Sequence, residues 1–177
     1  MGNIRIGGNL SVVSRAGRNC KFAWPVPASG MSKAPKPSVD LSARCACGAV
    51  AVRVHGPIFA MLMCSCLDCQ KATGTGHATV ALAAPSDVTI TGPVSSFERP
   101  ADSGALFTRS FCPHCGTPIA GRSSRAPDAI MLPVGLFGAD TGWFAPNQLI
   151  FARSHHQWDA IAPDLPRYVR YRDSGEI

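Results

Sequence analysis

The chain has 177 residues, 46% of them hydrophobic and 16% charged, with eight cysteines and a formal net charge of +6. No uninterrupted apolar run approaches the roughly 18 to 20 residues of a membrane-spanning helix, which argues against a membrane protein, and the length suits one domain with its own core. Eight cysteines are too sparse for a disulfide scaffold, and the opening segment lacks the apolar stretch of a secretory signal, so a reducing, cytoplasmic setting is expected.

The positive charge is concentrated at the start of the chain. Residues 1–30 carry Arg5, Arg15, Arg18 and Lys21 and no acid, which leaves 13 basic against 11 acidic side chains, or +2, for everything after them. That weak electrostatic footprint argues against a nucleic-acid partner. The head is rich in Gly, Ser and Asn without periodicity, and "MSKAPKPSVD" from Met31 reads like a natural beginning. Residues 1–40 are therefore expected to be a disordered or spurious extension, with translation starting at Met1 or Met31 and Cys20 a free thiol outside the fold. A targeting segment fits less well, because the amphipathic pattern of a transit peptide is poor. One zinc domain is expected over residues 41–172, and a tail over 173–177.

Short strands separated by Gly and Pro follow. "GAVAVRVHG" alternates, with Val50, Val52 and Val54 on one face and Ala51, Arg53 and His55 on the other, the period of a half-buried strand. "PIFAMLMC" is a separate apolar run ending in cysteines, and a helical turn or two is expected from Leu67 to Ala72 before "TGTGH" stops it. "HATVALAAP", "DVTITG", "ALFTRSFC", "TPIAGR", "AIMLPVG" and "NQLIFAR" continue at hairpin-like intervals. The pattern predicts an all-β fold of short strands with at most one short helical turn.

Seven of the cysteines form three groups: Cys45 and Cys47 in "CAC", Cys64, Cys66 and Cys69 in "CSCLDC", and Cys112 and Cys115 in "CPHC". Pairs at this spacing suit a zinc ion, which binds thiolate sulfur at about 2.3 Å. In "FCPHCGTP", Pro113 stiffens a turn and Gly116 permits the backbone angles that aim amide hydrogens at sulfur. That pair needs two more ligands, and Cys45 and Cys47, read as positions i and i+2 of an extended segment, project to the same side. The four make a closed structural site. The triplet is left with three thiolates and a vacant fourth position, the mark of a catalytic rather than a structural zinc. Three thiolates on a divalent ion carry a formal charge of about −1, and a soft donor such as a small-molecule thiol is the natural guest.

The order C-x-C-G, C-x-C-x-x-C, F-C-x-x-C-G-T-P, with "QLIFARSHHQW" and "LPRY" later on, resembles the glutathione-dependent formaldehyde-activating enzyme family, which includes centromere protein V. The resemblance spans residues 42 to 171. It implies an all-β, zinc-containing β-tent, a structural zinc on Cys45, Cys47, Cys112 and Cys115, and a second zinc on Cys64, Cys66 and Cys69. It implies a carbon–sulfur lyase type of activity on a thiol and an aldehyde: glutathione and formaldehyde joining as S-hydroxymethylglutathione, or the reverse. Family members often place two basic residues after the triplet, where this chain has Gln70 and Lys71, so Lys71 is the cation left to face a glutathione carboxylate.

Two other classes of function fit the same residues: a non-catalytic carrier or redox module for glutathione or its adducts, and a zinc-stabilised interaction domain. His77 offers itself as a fourth ligand or proton carrier, against the plainer reading of a strand histidine. His114 is expected to face solvent, and Trp158, after His155 and His156, to plug the core. Arg109, Arg122 and Arg125 read as a salt-bridged surface, and Asp68 as a helix cap or a partner to the metal ligands.

Overall fold

The computed structural model describes residues 36–139 and 141–177, so Cys20, Met31 and nearly all of the expected extension lie outside the described residues. Nine strands are present among the described residues: β1 (Ser38–Arg44), β2 (Ala51–Cys64), β3 (Ala78–Ala83), β4 (Val88–Thr91), β5 (Ser95–Pro100), β6 (Leu106–Phe111), β7 (Pro118–Ser123), β8 (Ala126–Pro133) and β9 (Leu149–Ile150). The main path runs β1-β2-β3-β8-β7-β6-β5, with β4 and β9 pairing to β2. Every pairing is antiparallel except that of β9 with β2. The helix α1 (Leu67–Thr73) stands where a short helical turn was expected and is joined among the described residues by four 3-10 turns, so the all-β fold of mostly antiparallel strands holds with more short helical pieces than the one turn anticipated.

Two details depart from the expected elements. Sheet begins at Ser38, ahead of the anticipated start at residue 41, because Ser38, Val39 and Asp40 pair with Pro57, Gly56 and His55. The two runs read as separate strands form the single 14-residue β2. Its first half pairs with β1 and β4 and its second half with β3, across a register shift between Ile58 and Ala60. Gly56, at φ +149°, and this bulge let one strand turn from one sheet into the other.

The alternation read in β2 is real: Val50, Val52 and Val54 are buried, while Arg53 and His55 are exposed. Ile58, Ala81, Ile119 and Leu132 complete the fully buried centre of a core that draws on β2, β3, β7 and β8, with Phe137, Trp143 and Phe144 packed against its edge. Burying an aliphatic side chain of this size stabilises by roughly 1.5 to 3 kcal/mol, so these strands fix the framework on which the cysteines stand. Beyond β9, Phe151 takes a left-handed conformation at φ +58°, which a bulky side chain adopts only under tertiary constraint. Its buried ring meets Tyr171 edge-on at 4.9 Å.

Candidate functional site

The first cysteine group lies where two turns meet. Between β1 and β2, the Gly48 N–H donates to the Cys45 carbonyl and the Val50 N–H to Cys45 Sγ at 3.2 Å, with Gly48 at φ +79°. The sulfurs of Cys45 and Cys47 are therefore aimed by a tight turn, not by the extended segment expected from their spacing, since Ala46 and Cys47 lie in the turn itself. Between β6 and β7, the Gly116 N–H donates to the Cys112 carbonyl, and Gly116 sits at φ +73°, the backbone freedom that "CPHCG" asked for.

Sulfur–sulfur distances are 3.5 Å for Cys45–Cys47 and 3.7 Å for Cys47–Cys112, and all four Sγ atoms lie within 4.8 Å of one another. A tetrahedral zinc with bonds of about 2.3 Å separates its sulfurs by about 3.8 Å, so this donor set fits that ion. Thr117 stitches the two turns together: its hydroxyl accepts from the Ala46 N–H at 3.1 Å and lies 3.1 Å from Cys115 Sγ. The hydrogen bonds from the Thr117 hydroxyl, then from the Thr117 and Cys47 backbones, pull the Cys115 thiol down to about 5, which keeps it in the form a metal takes. Nothing in the sequence singled out Thr117.

The second group is built from a strand end and a helix start. Cys64 closes β2, held on one side by Ala78 of β3 and on the other by Ile150 of β9. Cys66 is the N-cap of α1, its Sγ accepting from the Cys69 N–H at 3.4 Å, and Gly74 ends the helix in the left-handed conformation at φ +68°. A capping residue and one three places on fall on the same side of the first turn, so all three sulfurs converge within 4.8 Å. Hydrogen bonds from the Cys64 thiol and then the Cys69 thiol hold Cys66 well below the ordinary range, helped by the Cys69 N–H and the Arg99 charge. The same contact with Cys66 pushes Cys64 upward, aided by burial. Three thiols this close compete for protons until a cation replaces them, which fits a metal.

Among the described residues no histidine or carboxylate joins either group. His77, the candidate fourth ligand, points its Nδ1 to Asp159 Oδ2 at 2.6 Å instead. His155 Nε2 lies 2.7 Å from the Asp159 carbonyl and 3.8 Å from its Oδ2. His114 is exposed, as expected. Trp158 is not a core plug: it is 70% exposed and stacks on His156 at 5.1 Å and 12°, because the segment around it lies over α1 and not under the sheet.

Gln70 fastens that segment. Its Nε2 donates to the Ser65 carbonyl at 2.9 Å and the Ser154 carbonyl at 2.8 Å, and its Oε1 lies 2.9 Å from His156 Nε2. An amide can donate and accept at once, which a basic side chain cannot. Lys71 is exposed in the last turn of α1, and the cations that reach the triplet's helix come from the β5–β6 hairpin. Arg99 Nη1 lies 3.0 Å from Asp68 Oδ2, and Arg109 Nη2 is 3.5 Å from the Asp68 carbonyl. Arg99 went unnoticed in the sequence, and its only signal there is the alternation of Phe97 with Arg99 and of Phe107 with Arg109. Pairing of Phe97 with Arg109 and of Arg99 with Phe107 puts all four on one face. Arg125 bridges Asp173 at 2.6 Å, consistent with a surface role, and Arg122 is exposed.

A family model described as glutathione-dependent formaldehyde-activating enzyme matches residues 40–154. Among solved structures, a Rhodobacter sphaeroides protein matches with 18% sequence identity and a TM-score of 0.47, over 58% of this chain and 92% of that one. No curated protein matches the sequence. No helix among the described residues is long and apolar enough to cross a membrane.

Proposed function

The chain belongs to the glutathione-dependent formaldehyde-activating enzyme family, and from that premise we propose that it is a two-zinc protein that joins a glutathione-type thiol to an aldehyde such as formaldehyde, or cleaves the adduct. In this reading Cys45, Cys47, Cys112 and Cys115 hold a structural zinc, and Cys64, Cys66 and Cys69 hold a second zinc with one position open. The observation that carries it is the convergence of three triplet sulfurs with no fourth ligand among the described residues, beside a separate group that has all four. The seven described cysteines are all free thiols, as a reducing, cytoplasmic setting would keep them.

A zinc held by Cys64, Cys66 and Cys69 would supply Lewis acidity that favours the thiolate, the nucleophilic form, of a guest thiol. The chain's own residues supply placement and charge. Cys64, anchored between β3 and β9, fixes the site to the sheet, while Cys66 and Cys69 present it from the first turn of α1. Gln70 holds that helix to the 154–156 segment through its three contacts, and Arg99 places positive charge beside an anionic cluster. In the forward reaction the thiol sulfur forms a bond to the carbonyl carbon, the carbon–oxygen π pair moves to oxygen, and the thiol proton ends there as the hydroxyl. The reverse breaks that carbon–sulfur bond.

The test is zinc per chain, measured by mass spectrometry before and after titration with glutathione and a mild chelator, together with the exchange rate between formaldehyde and S-hydroxymethylglutathione by NMR. Two zincs, one of them perturbed by glutathione, with exchange faster than the uncatalysed addition, support the reading. Two equally inert zincs and no acceleration overturn it.

A further inference from the structure

Arg99 is an unusual arginine for a hairpin strand. Its side chain is only 18% exposed, its guanidinium lies over the Phe107 ring at 5.2 Å, and Nη1 is shared between Asp68 Oδ2 and the Pro100 carbonyl, each at 3.0 Å. Its Nε is buried with no hydrogen-bond partner. A guanidinium has five N–H donors in a planar fork, and leaving buried ones without an acceptor is costly. The protein has thus put an incompletely satisfied, partly desolvated cation beside the helix turn that carries Cys66 and Cys69, and filled one side of it with a carboxylate that is itself 48% exposed. Asp68 sits in sequence between the two cysteines, so the carboxylate that meets the guanidinium at 3.0 Å is carried by the same helix turn as Cys66 and Cys69.

We infer that Arg99, and not Lys71, is the specificity-determining cation of the open cysteine site: it takes the carboxylate of the guest thiol, which competes with Asp68 for the Arg99 fork. The inference rests on the open-site reading above and narrows it: the guest is recognised by its acid group as well as by its sulfur. Planar guanidinium and planar carboxylate match in a way that the flexible, exposed Lys71 ammonium does not. Partial burial against Phe107 lets the pair avoid the screening that makes surface ion pairs weak.

The test uses the full chain loaded with cobalt in place of zinc, and reads thiol coordination from the sulfur-to-metal charge-transfer absorption. Two small probes differ in charge: 3-mercaptopropionate and 2-mercaptoethanol. Comparing each variant with the native protein cancels the intrinsic difference between the two thiols. Arg99→Met is expected to weaken 3-mercaptopropionate about tenfold, as loss of a partly exposed charge-assisted hydrogen bond should, and 2-mercaptoethanol less than about twofold. Asp68→Asn, which removes the competitor while keeping its shape, is expected to tighten 3-mercaptopropionate a few-fold and leave 2-mercaptoethanol unchanged, and it carries the test alone if Arg99→Met does not fold. Equal weakening of both thiols by Arg99→Met, or no change in selectivity in Asp68→Asn, overturns the assignment and reduces Arg99 to a counter-charge. No spectral response to either thiol in the native protein overturns the open-site reading, and this inference falls with it.

Discussion

Replacing Cys112 and Cys66 separately with serine tests whether the seven cysteines divide into one closed and one open set. Cys112 is fully buried, and its group links the β1–β2 turn to the β6–β7 turn across more than sixty positions of sequence, with Cys112 Sγ 3.7 Å from Cys47 Sγ. A structural zinc contributes roughly 10 to 16 kcal/mol in small zinc-folded peptides, and serine is not a ligand of comparable strength. Losing on the order of 5 kcal/mol of that would remove much of the roughly 5 to 15 kcal/mol that keeps a domain folded. At roughly 3 to 5 °C per kcal/mol for a domain of this size, Cys112→Ser should lower Tm by about 15 to 25 °C or abolish the transition. Cys66→Ser should behave differently for a reason visible at the helix. Cys66 Sγ is the N-cap acceptor for the Cys69 N–H, and serine is among the best residues for that position, so the helix keeps its cap while the metal loses a ligand. A Tm within about 5 °C of native is expected, with one zinc per chain lost. Differential scanning calorimetry in zinc-replete, reducing buffer, paired with metal analysis, reads both quantities. Equal collapse of the two variants would refute the division and make the triplet a structural site.

Removing the Thr117 hydroxyl takes away the largest of the hydrogen bonds that pull Cys115 down to about 5, so its pKa rises part of the way toward the ordinary thiol value. Protons then compete with zinc from a higher pH, and Thr117→Val should shift the midpoint of acid-induced zinc release upward, read with a chromogenic chelator. Gly76→Ala places a methyl against the carboxylate of Asp159, which holds His77 at 2.6 Å. It should destabilise by roughly 1 to 3 kcal/mol, measured by urea unfolding, and shift the His77 ring signals in NMR. Gln70→Ala strips the Ser65 and Ser154 carbonyls of their shared donor and should cost roughly 1 to 3 kcal/mol. Faster hydrogen exchange in α1 would accompany that loss, and unchanged exchange would mean the helix is held by other contacts.

The first half of β2 was legible because its alternation is open, with Val52 and Val54 buried and Arg53 and His55 exposed, and the later strands were legible from short apolar runs set between Gly and Pro. The continuity of β2 was hidden because Gly56 and Pro57 read as punctuation, when here they mark the bend at which one strand changes sheets. The cysteine groups were legible from spacing, since a metal restricts its ligands to a few local geometries. What spacing does not carry is contact at a distance. Asp159 lies 82 positions from His77 and Ser154 lies 84 from Gln70, and nothing local marks either partner. Trp158 misled for the same reason: an aromatic is a sound guess for a core until the segment that carries it is known to lie on the outside of α1.

Charge explains why the triplet differs from the four-cysteine group in its surroundings. Four thiolates on a divalent ion leave a formal charge of about −2, three leave about −1, and an anionic cluster in a partly buried place needs donors or cations beside it. The closed group answers with backbone N–H groups and the Thr117 hydroxyl, which its two turns supply locally. The triplet has a strand end and only one helix turn to draw on, so its cation comes from elsewhere in the chain, Arg99 of β5, held by a pairing with Asp68 that bridges the hairpin and the helix. That division also accounts for Gln70. With Arg99 providing charge, the position after Cys69 is free to hold the helix to the 154–156 segment, for which an amide's paired donor and acceptor are better suited than a second cation.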